Sequence, residues 1–401
     1  MLAHDGKKIV FKYGKCQQCG ICREVCPTAS ISFTPRKDGT QDISIDARTC
    51  ILCRKCVSAC PSNSTADTEG YFDGFPQKEY YLGYNADKNI RRESSSGGVS
   101  KTLIVESLRL GLADGVYSLV KTGRYPYAEG RFFTQENNPG YAGLPNSVYH
   151  SVMACTNIRE IGKCNRLLVV GTTCQIKAIE AEARKKCNTL IKVCIFCKQQ
   201  KTLSSTRFIA KMAGTEIPSD QNFTVRYRGD GWPGKVKING KENAWGRVAQ
   251  IPFGRRLWTV PGCNICGDPF GITANADITL MDPWMIRRRN EYGETLVAAH
   301  TTAGVRLLSE IPALKLEEKR YDEVLPALGF DDIWRKQQLV PYFNGEKCPL
   351  KIKMAGRLEK MQRWYLRTAV ETLPRMPQLF YRMLCKMPDL RNILLCRHSR
   401  A

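Results

Sequence analysis

Residues 16–27 read CQQCGICREVCP, and residues 50–61 read CILCRKCVSACP. Both stretches follow the spacing C-x-x-C-x-x-C-x-x-x-C-P. Three thiolates two residues apart can bind one iron–sulfur cube, whereas the fourth cysteine lies too far along the chain and binds the other cube. The proline after each fourth cysteine cannot continue a helix and turns the chain away. The two stretches together therefore predict a fold that holds two [4Fe–4S] clusters.

The spacing also assigns ligands to each cluster. Cys16, Cys19, Cys22 and Cys60 are predicted to bind one cluster, and Cys50, Cys53, Cys56 and Cys26 the other. Alternating residues at 31–33 and 43–45 predict two short strands between the cysteine runs, which completes a two-cluster ferredoxin pattern. A pair of zinc sites is the alternative, because C-x-x-C pairs also bind zinc. The duplicated run with both prolines favours iron and sulfide.

Composition limits the class of protein. The chain has 401 residues, of which 43% are apolar, enough for more than one domain. It begins with a polar stretch and has no long apolar run, so we expect neither a secretory signal nor a membrane span. Without a secretory signal, the 19 cysteines favour metal binding over a disulfide framework. We therefore predict a cytoplasmic protein.

Patterns of strands and helices predict a mixed fold, with an α+β ferredoxin-like segment followed by α/β regions. We divide the chain into residues 1–75, ferredoxin-like; 76–220, an α/β domain; 221–345, a mixed α/β region; and 346–401, a basic helical tail. Residues 62–75 are rich in Ser, Thr, Asp and Gly and are predicted to form a linker loop. Residues 115–120, 167–171 and 190–196 are predicted strands, and residues 103–110 a helix.

Two loops are expected to share one edge of the α/β sheet. Residues 94–98, SSSGG, precede the predicted helix, and residues 172–175, TTCQ, follow the strand at 167–171. In such sheets, ligands bind in the crevice at the carboxyl ends of the strands. A Ser/Gly loop at a helix N-terminus suits a phosphate or the edge of a flavin ring. A plain capped helix is the alternative interpretation.

A third metal site is suggested by Cys263 and Cys266, which form another C-x-x-C and need two more ligands. Cys174 and Cys197 are the best candidates, because both lie in loops after predicted strands. Cys194 competes with them, although it lies within an apolar run, where a buried free thiol is common. Zinc on these thiolates remains an alternative to iron. The other cysteines are interpreted as unliganded: Cys155, Cys164, Cys187, Cys194, Cys348, Cys385 and Cys396.

The order of these motifs resembles the beta-subunit family of coenzyme F420-reducing hydrogenases and dehydrogenases. The resemblance covers roughly residues 10–310: the ferredoxin runs, SSGGV, GTTCQ, IFC, and a C-x-x-C followed by ADI and DPW. It implies FAD in the central domain and a third [4Fe–4S] cluster beside it. By motif, that cluster falls to Cys174, Cys197, Cys263 and Cys266. The implied flavin loops contain Ser95, Ser96, Gly97, Gly98, Thr172 and Thr173, although Thr173 stands where the family usually has proline.

The resemblance also implies an activity. Family members move electron pairs between flavin and a soluble carrier or a small, deazaflavin-like substrate, and some relatives are encoded with bacterial polysaccharide synthesis. We expect an FAD-dependent oxidoreductase that exchanges electrons with a ferredoxin or partner subunit through its clusters. The alternative is an electron-transfer subunit that has no substrate of its own. Asp282 is a candidate proton donor, but an acid that simply closes a strand is the simpler interpretation.

Charge suggests a further contact. The net charge is +23, and residues 350–401 contain twelve Lys and Arg against three Asp and Glu. Aromatic, Leu and Met residues are mixed with these cations, and prolines interrupt the segment. Nucleic acid is one anionic partner to consider, but Leu and Met at near-helical spacing favour a peripheral helix on an anionic membrane or on a partner protein. We therefore expect peripheral association at the inner membrane surface rather than nucleic-acid binding.

Overall fold

A computed structural model describes residues 1–64, 69–287, 290–372 and 378–396. The strands are β1 Leu2–His4, β2 Ile9–Phe11, β3 Ile31–Pro35, β4 Gln41–Ile45, β5 Glu79–Asn85, β6 Gly115–Lys121, β7 Ala128–Phe133, β8 Cys164–Gly171, β9 Cys187–Ile195, β10 Val225–Arg226, β11 Lys235–Ile238, β12 Lys241–Ala244, β13 Ile278–Met281, β14 Thr295–Ala299 and β15 Leu314–Lys319. The α-helices are α1 Ile21–Glu24, α2 Lys55–Ser58, α3 Lys88–Glu93, α4 Val99–Arg109, α5 Gly140–Gly143, α6 Thr173–Ala183, α7 Leu203–Met212, α8 Trp245–Val248, α9 Thr302–Ser309, α10 Tyr321–Leu328, α11 Phe330–Gln338, α12 Val340–Asn344, α13 Leu350–Thr372 and α14 Gln378–Lys386.

A mixed eight-stranded sheet forms the centre of the molecule, with the order β15-β5-β14-β13-β9-β8-β6-β7. Strands β6, β8, β9 and β13 run parallel, whereas β14 is antiparallel to both β13 and β5. The middle strand β8 contains a continuous buried apolar run, and β9 is buried over residues 191–194, where Lys192 interrupts the apolar residues. Such burial is expected for strands covered on both faces. The carboxyl ends of β5, β13, β9 and β8 therefore meet at one edge of the sheet.

Alternate residues of β8 face two different cores. Leu167 and Val169 pack with Ile176 of α6 and with apolar residues of the ferredoxin segment, such as Ile21. Leu168 and Val170 pack with Leu103 of α4 and other residues on the opposite face. This alternation follows from the two-residue period of a strand. The ferredoxin segment thus shares its core with the sheet and α6.

The structure confirms the predicted strands and helix of the central region, since β6, β8, β9 and α4 lie where the sequence placed them. Within the region predicted as mixed α/β, strands β10, β11 and β12 form a small antiparallel sheet. Strands β13 and β14 belong to the central sheet. Strand β5 lies inside that sheet but was missed, because its apolar pattern is short and follows a long loop.

The predicted linker and tail are described only in part. Residues 65–68 of the linker and residues 373–377 and 397–401 of the tail lie outside the described residues. Within the described tail, α13 and α14 are helical. None of the helices in the described ranges has the length and apolar character needed to cross a bilayer.

Candidate functional site

The first group of ferredoxin cysteines lies around α1, and Cys60 joins it from the end of the second cysteine run. Burial raises the pKa of Cys22, and the nearby thiols of Cys19, Cys16 and Cys60 raise it further. Burial also raises the pKa of Cys16, which lies in range of Cys19 and Cys60. These are the four cysteines that the spacing assigned to one cluster. The structure thus brings together thiols from both runs.

The second group lies nearer the surface. Burial raises the pKa of Cys56 to about 11, and the neighbouring thiols of Cys26, Cys53 and Cys50 add to the shift. Cys53 is exposed, and beside it Ile51 is 64% exposed. A small cavity of about 20 Å³ is lined by all four of these cysteines. This group is therefore the more accessible of the two ferredoxin groups.

A third group of thiols forms at the edge of the central sheet. Burial raises the pKa of Cys174, and the thiols of Cys266 and Cys263 raise it further. Burial raises the pKa of Cys197 to about 12, and the thiols of Cys263 and Cys266 again contribute. Four cysteines from three separate segments thus lie within electrostatic range of one another. Cys174 also lies in range of Cys19, a member of the first group.

A site for a single metal ion requires side chains that lie closer together than electrostatic range. In the part of the chain that the structure describes, no group of three or more His, Cys, Asp or Glu side chains is placed to hold one metal ion. A single zinc ion would require thiolate sulfurs about 2.3 Å from one point. The ferredoxin cysteines are likewise not placed to hold a single metal ion, so the three cysteine groups are alike in this respect.

Two backbone contacts join the first and third groups. The amide of Gly262, next to Cys263, donates a hydrogen bond to the carbonyl of Cys16 at 3.2 Å. The amide of Cys155 donates to the carbonyl of Cys19 at 2.8 Å, and the Cys155 thiol, which donates to the carbonyl of Gln175 at 3.9 Å, lies beside the Cys19 thiol. That sulfur contact is the main reason why the pKa of Cys19 is raised, and burial adds to it. Cys155 is fully buried and so belongs to the connection between the two groups.

Asp268 organises the loop that carries Cys266. Its buried carboxylate accepts hydrogen bonds from the Tyr71 hydroxyl at 2.5 Å, the Thr273 hydroxyl at 2.7 Å, and the backbone amides of residues 270–273. Its carbonyl accepts from the Thr173 hydroxyl at 2.8 Å. Asp268 was missed in the sequence, although it follows the C-x-x-C by only two residues.

Cys194, the competing ligand, is placed differently from Cys197. It is completely buried within β9, and its thiol contacts the Thr173 hydroxyl at 3.7 Å. A Cβ on Gly271 would lie only 2.9 Å from its sulfur, so this part of the chain is closely packed around it. Its thiol nevertheless lies in electrostatic range of Cys197 and Cys266. Close packing around its buried sulfur favours an unliganded Cys194.

The predicted flavin loop at residues 94–98 lies at the same edge of the sheet. The amide of Asn85, at the end of β5, donates to the carbonyl of Gly97 at 2.8 Å, and Ser96 donates to the carbonyl of Glu294, just before β14, at 2.6 Å. The expectation that this loop and residues 172–175 share one edge is therefore confirmed. Only β13 separates β14 from β9, so the loop and the end of β9 lie about 10 Å apart across the sheet.

Serine and threonine hydroxyls at this edge have partners within the protein. Ser95 accepts a hydrogen bond from the amide of Ser147 at 2.8 Å. Thr172 caps α6 in a capping box with Gln175 and contacts the sulfur of Cys174 at 3.3 Å. Gly98, at φ 86°, is the N-cap of α4. Any ligand at this edge therefore meets mainly the backbone of these loops rather than unpaired hydroxyls.

A buried ion pair lies behind the loop at residues 94–98. Arg228, only 1% exposed, donates to the Asp282 carboxylate at 2.9 Å and to the carbonyl of Ser95 at 3.0 Å. Trp232 donates to the same carboxylate at 3.3 Å and packs on Trp284 at 4.7 Å between ring centroids. Burial raises the pKa of Asp282, but the charge of Arg228 and the hydrogen bonds that the carboxylate accepts from Arg228, Ser96 and Trp232 together outweigh burial, so the pKa is lowered. The Nε of Arg228 has no protein partner.

Arg228 and Trp232 carried no motif in the sequence and were missed. Asp282 was a speculative proton donor, and the structure places it in a salt bridge as an ionised carboxylate. The signal that could have identified the cluster is the sequence RGDGW at 228–232, where glycines bring the backbone close to β14. A Cβ on Gly231, for example, would lie 2.7 Å from the carbonyl oxygen of Glu291.

Cations surround the third thiol group. Lys201 is fully buried, and its ammonium donates to the carbonyl of Leu257 and to the side chain of Gln199, both at 2.9 Å. Its charge and that of Lys336 act on Cys263, where they oppose the increase in pKa that burial causes. Burial lowers the pKa of Lys201 well below its usual value, whereas the charges of ionised Cys263 and Cys197 raise it and so favour the ammonium form.

Comparisons with known proteins agree with the motif order. Residues 164–324 match the family described as the C terminus of the coenzyme F420 hydrogenase/dehydrogenase beta subunit, and residues 15–64 match the 4Fe-4S dicluster domain. A chain in the solved F420-reducing [NiFe] hydrogenase complex from Methanosarcina barkeri is similar at 17% identity, with a TM-score of 0.46 over 64% of this chain and 88% of that chain. None of the curated proteins compared with the chain matches it.

Proposed function

Because the chain joins a 4Fe-4S dicluster ferredoxin domain to a coenzyme F420 hydrogenase/dehydrogenase beta-subunit domain, we propose that it is an FAD-dependent iron–sulfur oxidoreductase. It transfers electrons between ferredoxin-type clusters and a flavin, and thereby reduces or oxidises a soluble carrier or small substrate. The observation that supports this most strongly is the convergence of Cys174, Cys197, Cys263 and Cys266 beside the ferredoxin cysteine Cys19. Such a grouping forms a continuous route from the ferredoxin segment to the edge of the sheet.

The third thiol group fits a [4Fe–4S] cluster in its chemistry. Four cysteines are available, which is the number that a cubane requires. The backbone amide of Gln200 donates to the sulfur of Cys263 at 3.3 Å, and Thr172 contacts the sulfur of Cys174. Hydrogen bonds to ligand sulfurs stabilise the reduced state. Lys201 and Lys336 offset the negative charge of the group.

The loop at residues 94–98 fits a flavin through its backbone and through Arg228. A buried guanidinium with an orphaned Nε is a donor that lacks a partner within the protein, and such donors are costly unless a ligand or water satisfies them. FAD, when bound, supplies the conversion between one-electron and hydride chemistry. Arg228 holds the loop through Ser95 and orients Asp282, while Trp232 and Trp284 shield this ion pair from water.

Electron partners have an accessible approach at the second ferredoxin group. Ile51 and Leu52 are exposed beside the exposed Cys53, and the adjacent Arg54 and Lys55 are exposed cations. An electron-transfer protein or partner subunit with an acidic surface would fit there, since complementary charge speeds such encounters. The substrate is a small molecule, deazaflavin-like in the family resemblance, and polysaccharide synthesis is one setting that the resemblance suggests.

Cofactor analysis of the anaerobically purified protein tests the proposal. Three cubane clusters require about twelve irons per chain, together with one FAD. Cys174→Ser should lower the iron content by about four. Cys194→Ser is the matched control, because Cys194 is buried and lies in electrostatic range of Cys197 and Cys266. Loss of four irons in the Cys194 variant but not in the Cys174 variant would reverse the ligand assignment.

Flavin content separates the oxidoreductase from a pure electron-transfer subunit. About eight irons and no flavin in the wild-type protein would contradict the proposal and leave an electron relay. Arg228→Lys should retain the fold while weakening the contact with Ser95, and FAD per chain should fall with iron unchanged. Arg226→Lys is the control, because Arg226 lies two residues away and pairs with Asp230 at the surface. Equal flavin content in both variants would exclude a role for Arg228.

A further inference from the structure

Helix α13, residues 350–372, has two unlike faces. One face packs against the body of the protein and contains Ala355, Gly356, Glu359, Gln362, Leu366 and Val370. Leu366 and Val370 belong to a buried core with Tyr381 and Leu384 of α14. These contacts fix which side of α13 points outward, so the opposite face is a surface with a defined composition.

The outward face of α13 is apolar. Leu350, Met354, Met361, Trp364 and Tyr365 are all exposed, and Leu350, Trp364 and Tyr365 are 70%, 66% and 55% exposed. Steps of four, eleven and fourteen to fifteen residues return to the same side of an α-helix, so these side chains form one stripe. A contiguous exposed stripe of this kind marks an interaction surface, whereas single exposed apolar residues need no explanation.

Exposed cations border the stripe. They are Lys351, Lys353, Lys360 and Arg367. A fifth exposed cation, Arg357, lies within the stripe, because it follows Met354 by three residues and precedes Met361 by four. Glu371 is the exposed acid on the described part of the helix. Arg367 pairs with Glu371 at 3.3 Å, which leaves the charge of this face strongly positive. Long Lys and Arg side chains can lie along an apolar surface while their charged ends reach outward. The surface is therefore an apolar stripe that contains one cation, Arg357, and has further cations along its borders.

We propose that α13 binds the surface of an anionic membrane, lying flat with the stripe Leu350–Tyr365 buried at the boundary between headgroups and acyl chains. Trp and Tyr prefer this interface, and Lys and Arg at its rim attract anionic headgroups. A helix of 23 residues would lie along about 35 Å of the surface. The redox protein would in this way work at a membrane without spanning it.

Other occupants fit the surface less well. Nucleic acid is bound mainly through phosphate contacts from cations, so five large apolar side chains in the centre would gain little. A protein interface is depleted of lysine relative to the rest of the surface, whereas this stripe is bordered by three lysines. Leu379 and Met383 of α14 are also exposed, which adds apolar surface to the same C-terminal segment.

Vesicle flotation with the anaerobically purified full chain tests the proposal. The protein should bind phosphatidylcholine vesicles that contain phosphatidylglycerol, and should bind much less to vesicles of phosphatidylcholine alone. Binding should weaken between about 0.1 and about 0.5 M salt, because salt screens exposed charges. In the triple variant Lys351→Gln/Lys353→Gln/Arg357→Gln, each lost cation should weaken partitioning by about fivefold at low salt.

The apolar contribution is tested separately. Met361→Ser/Trp364→Ser/Tyr365→Ser should lower the bound-to-free ratio at least about tenfold at both salt concentrations. Leu110→Ser/Leu325→Ser is the control, because both leucines are exposed elsewhere on the protein. Iron per chain and far-UV circular dichroism should be unchanged in every variant, which establishes that the fold is intact.

Three outcomes would overturn the proposal. The wild-type protein would fail to float with anionic vesicles, or the stripe variant would float as well as the control. Alternatively, vesicle binding would be unchanged in the stripe variant, and light scattering would show a dimer for the wild type but a monomer for the variant. The same would hold if the variant lost binding to a labelled DNA duplex while its vesicle binding was unchanged. Those last results would assign the surface to a second copy of the chain or to nucleic acid.

Discussion

Replacing Gly262 by alanine should separate the two loops that connect the ferredoxin segment with the third thiol group. A Cβ built on Gly262 would lie 2.6 Å from the backbone nitrogen of Gln17 and closer still to the carbonyl group of Cys16. Non-bonded heavy atoms prefer about 3.5–4.0 Å, so the loops must move apart by about 1 Å. The atoms in the way belong to the backbone, so no side-chain rotation can relieve the contact.

The energetic effect can be estimated from this clash. Overpacking of this kind costs about 1–3 kcal/mol, and weakening the hydrogen bond from Gly262 to Cys16 costs about 1 kcal/mol more. The entropy of unfolding grows with chain length, so each kcal/mol corresponds to roughly 1 °C in a chain of this size. We therefore expect the Gly262→Ala holoprotein to melt about 2–5 °C below the wild type, as measured anaerobically by calorimetry.

A second readout reports the separation directly. Magnetic coupling between neighbouring reduced clusters falls with the inverse cube of their distance, so electron paramagnetic resonance of the reduced variant should show weaker coupling. Gly14→Ala is the control, since Gly14 lies in the same loop region and a Cβ there would meet nothing within 4 Å. If Gly262→Ala matched Gly14→Ala in both melting temperature and spectrum, the reasoning from this contact would be refuted.

Three further predictions concern other buried groups. Cys155→Ala should lower the reduction potential of the cluster at Cys19, because it removes the thiol that lies beside this ligand sulfur and can donate to it when it is a thiolate, whereas Cys155→Ser should restore the potential. Equal potentials of the wild type and both variants in a redox titration would contradict this. Asp268→Ala should destabilise the protein by about 3–5 kcal/mol and lower its iron content, because the Tyr71 and Thr273 hydroxyls and the backbone amides of residues 270–273 lose their acceptor. A melting temperature equal to that of the wild type would contradict this prediction. Burial lowers the pKa of His150 to about 4, so its protonation favours the unfolded chain. The free energy of unfolding should therefore fall as the pH drops from about 6.5 to about 4. At pH 5.5 this amounts to about 1 kcal/mol, and His150→Gln should show a flatter pH dependence in chemical denaturation than the wild type.

Local patterns account for the features that could be predicted. The ferredoxin cysteines are spaced so that neighbouring thiols of one run reach one cluster, and this signal lies within twelve residues. Strand β8 contains the apolar run at residues 167–170, and β9 is apolar on either side of Lys192. Such runs identify buried strands without any knowledge of their neighbours. Strand β5 was missed because its place in the sheet depends on pairing with β14 and β15, which are more than 200 residues away.

The site at the sheet edge was only partly predictable. Motif order pointed to Cys174, Cys197, Cys263 and Cys266, and their role as ligands remains a prediction. Arg228 and Cys155 carried no motif, since each acts through a partner that is distant in sequence: Asp282 for Arg228, and Cys19 for Cys155. Contacts of this kind depend on how distant segments pack, and no local sequence pattern predicts them.

By itself, the sequence determined the two cysteine runs, the alternation of strands and helices, and the positive charge of the tail, because spacing, periodicity and composition are properties of short stretches. Only the tertiary structure decided that Gly262 contacts Cys16, that Arg228 is buried behind the Ser95 loop, and which face of α13 remains exposed. The physical reason is that burial and close packing depend on residues far apart in the chain. Those relations exist only after the sheet and the ferredoxin segment have assembled around a common core.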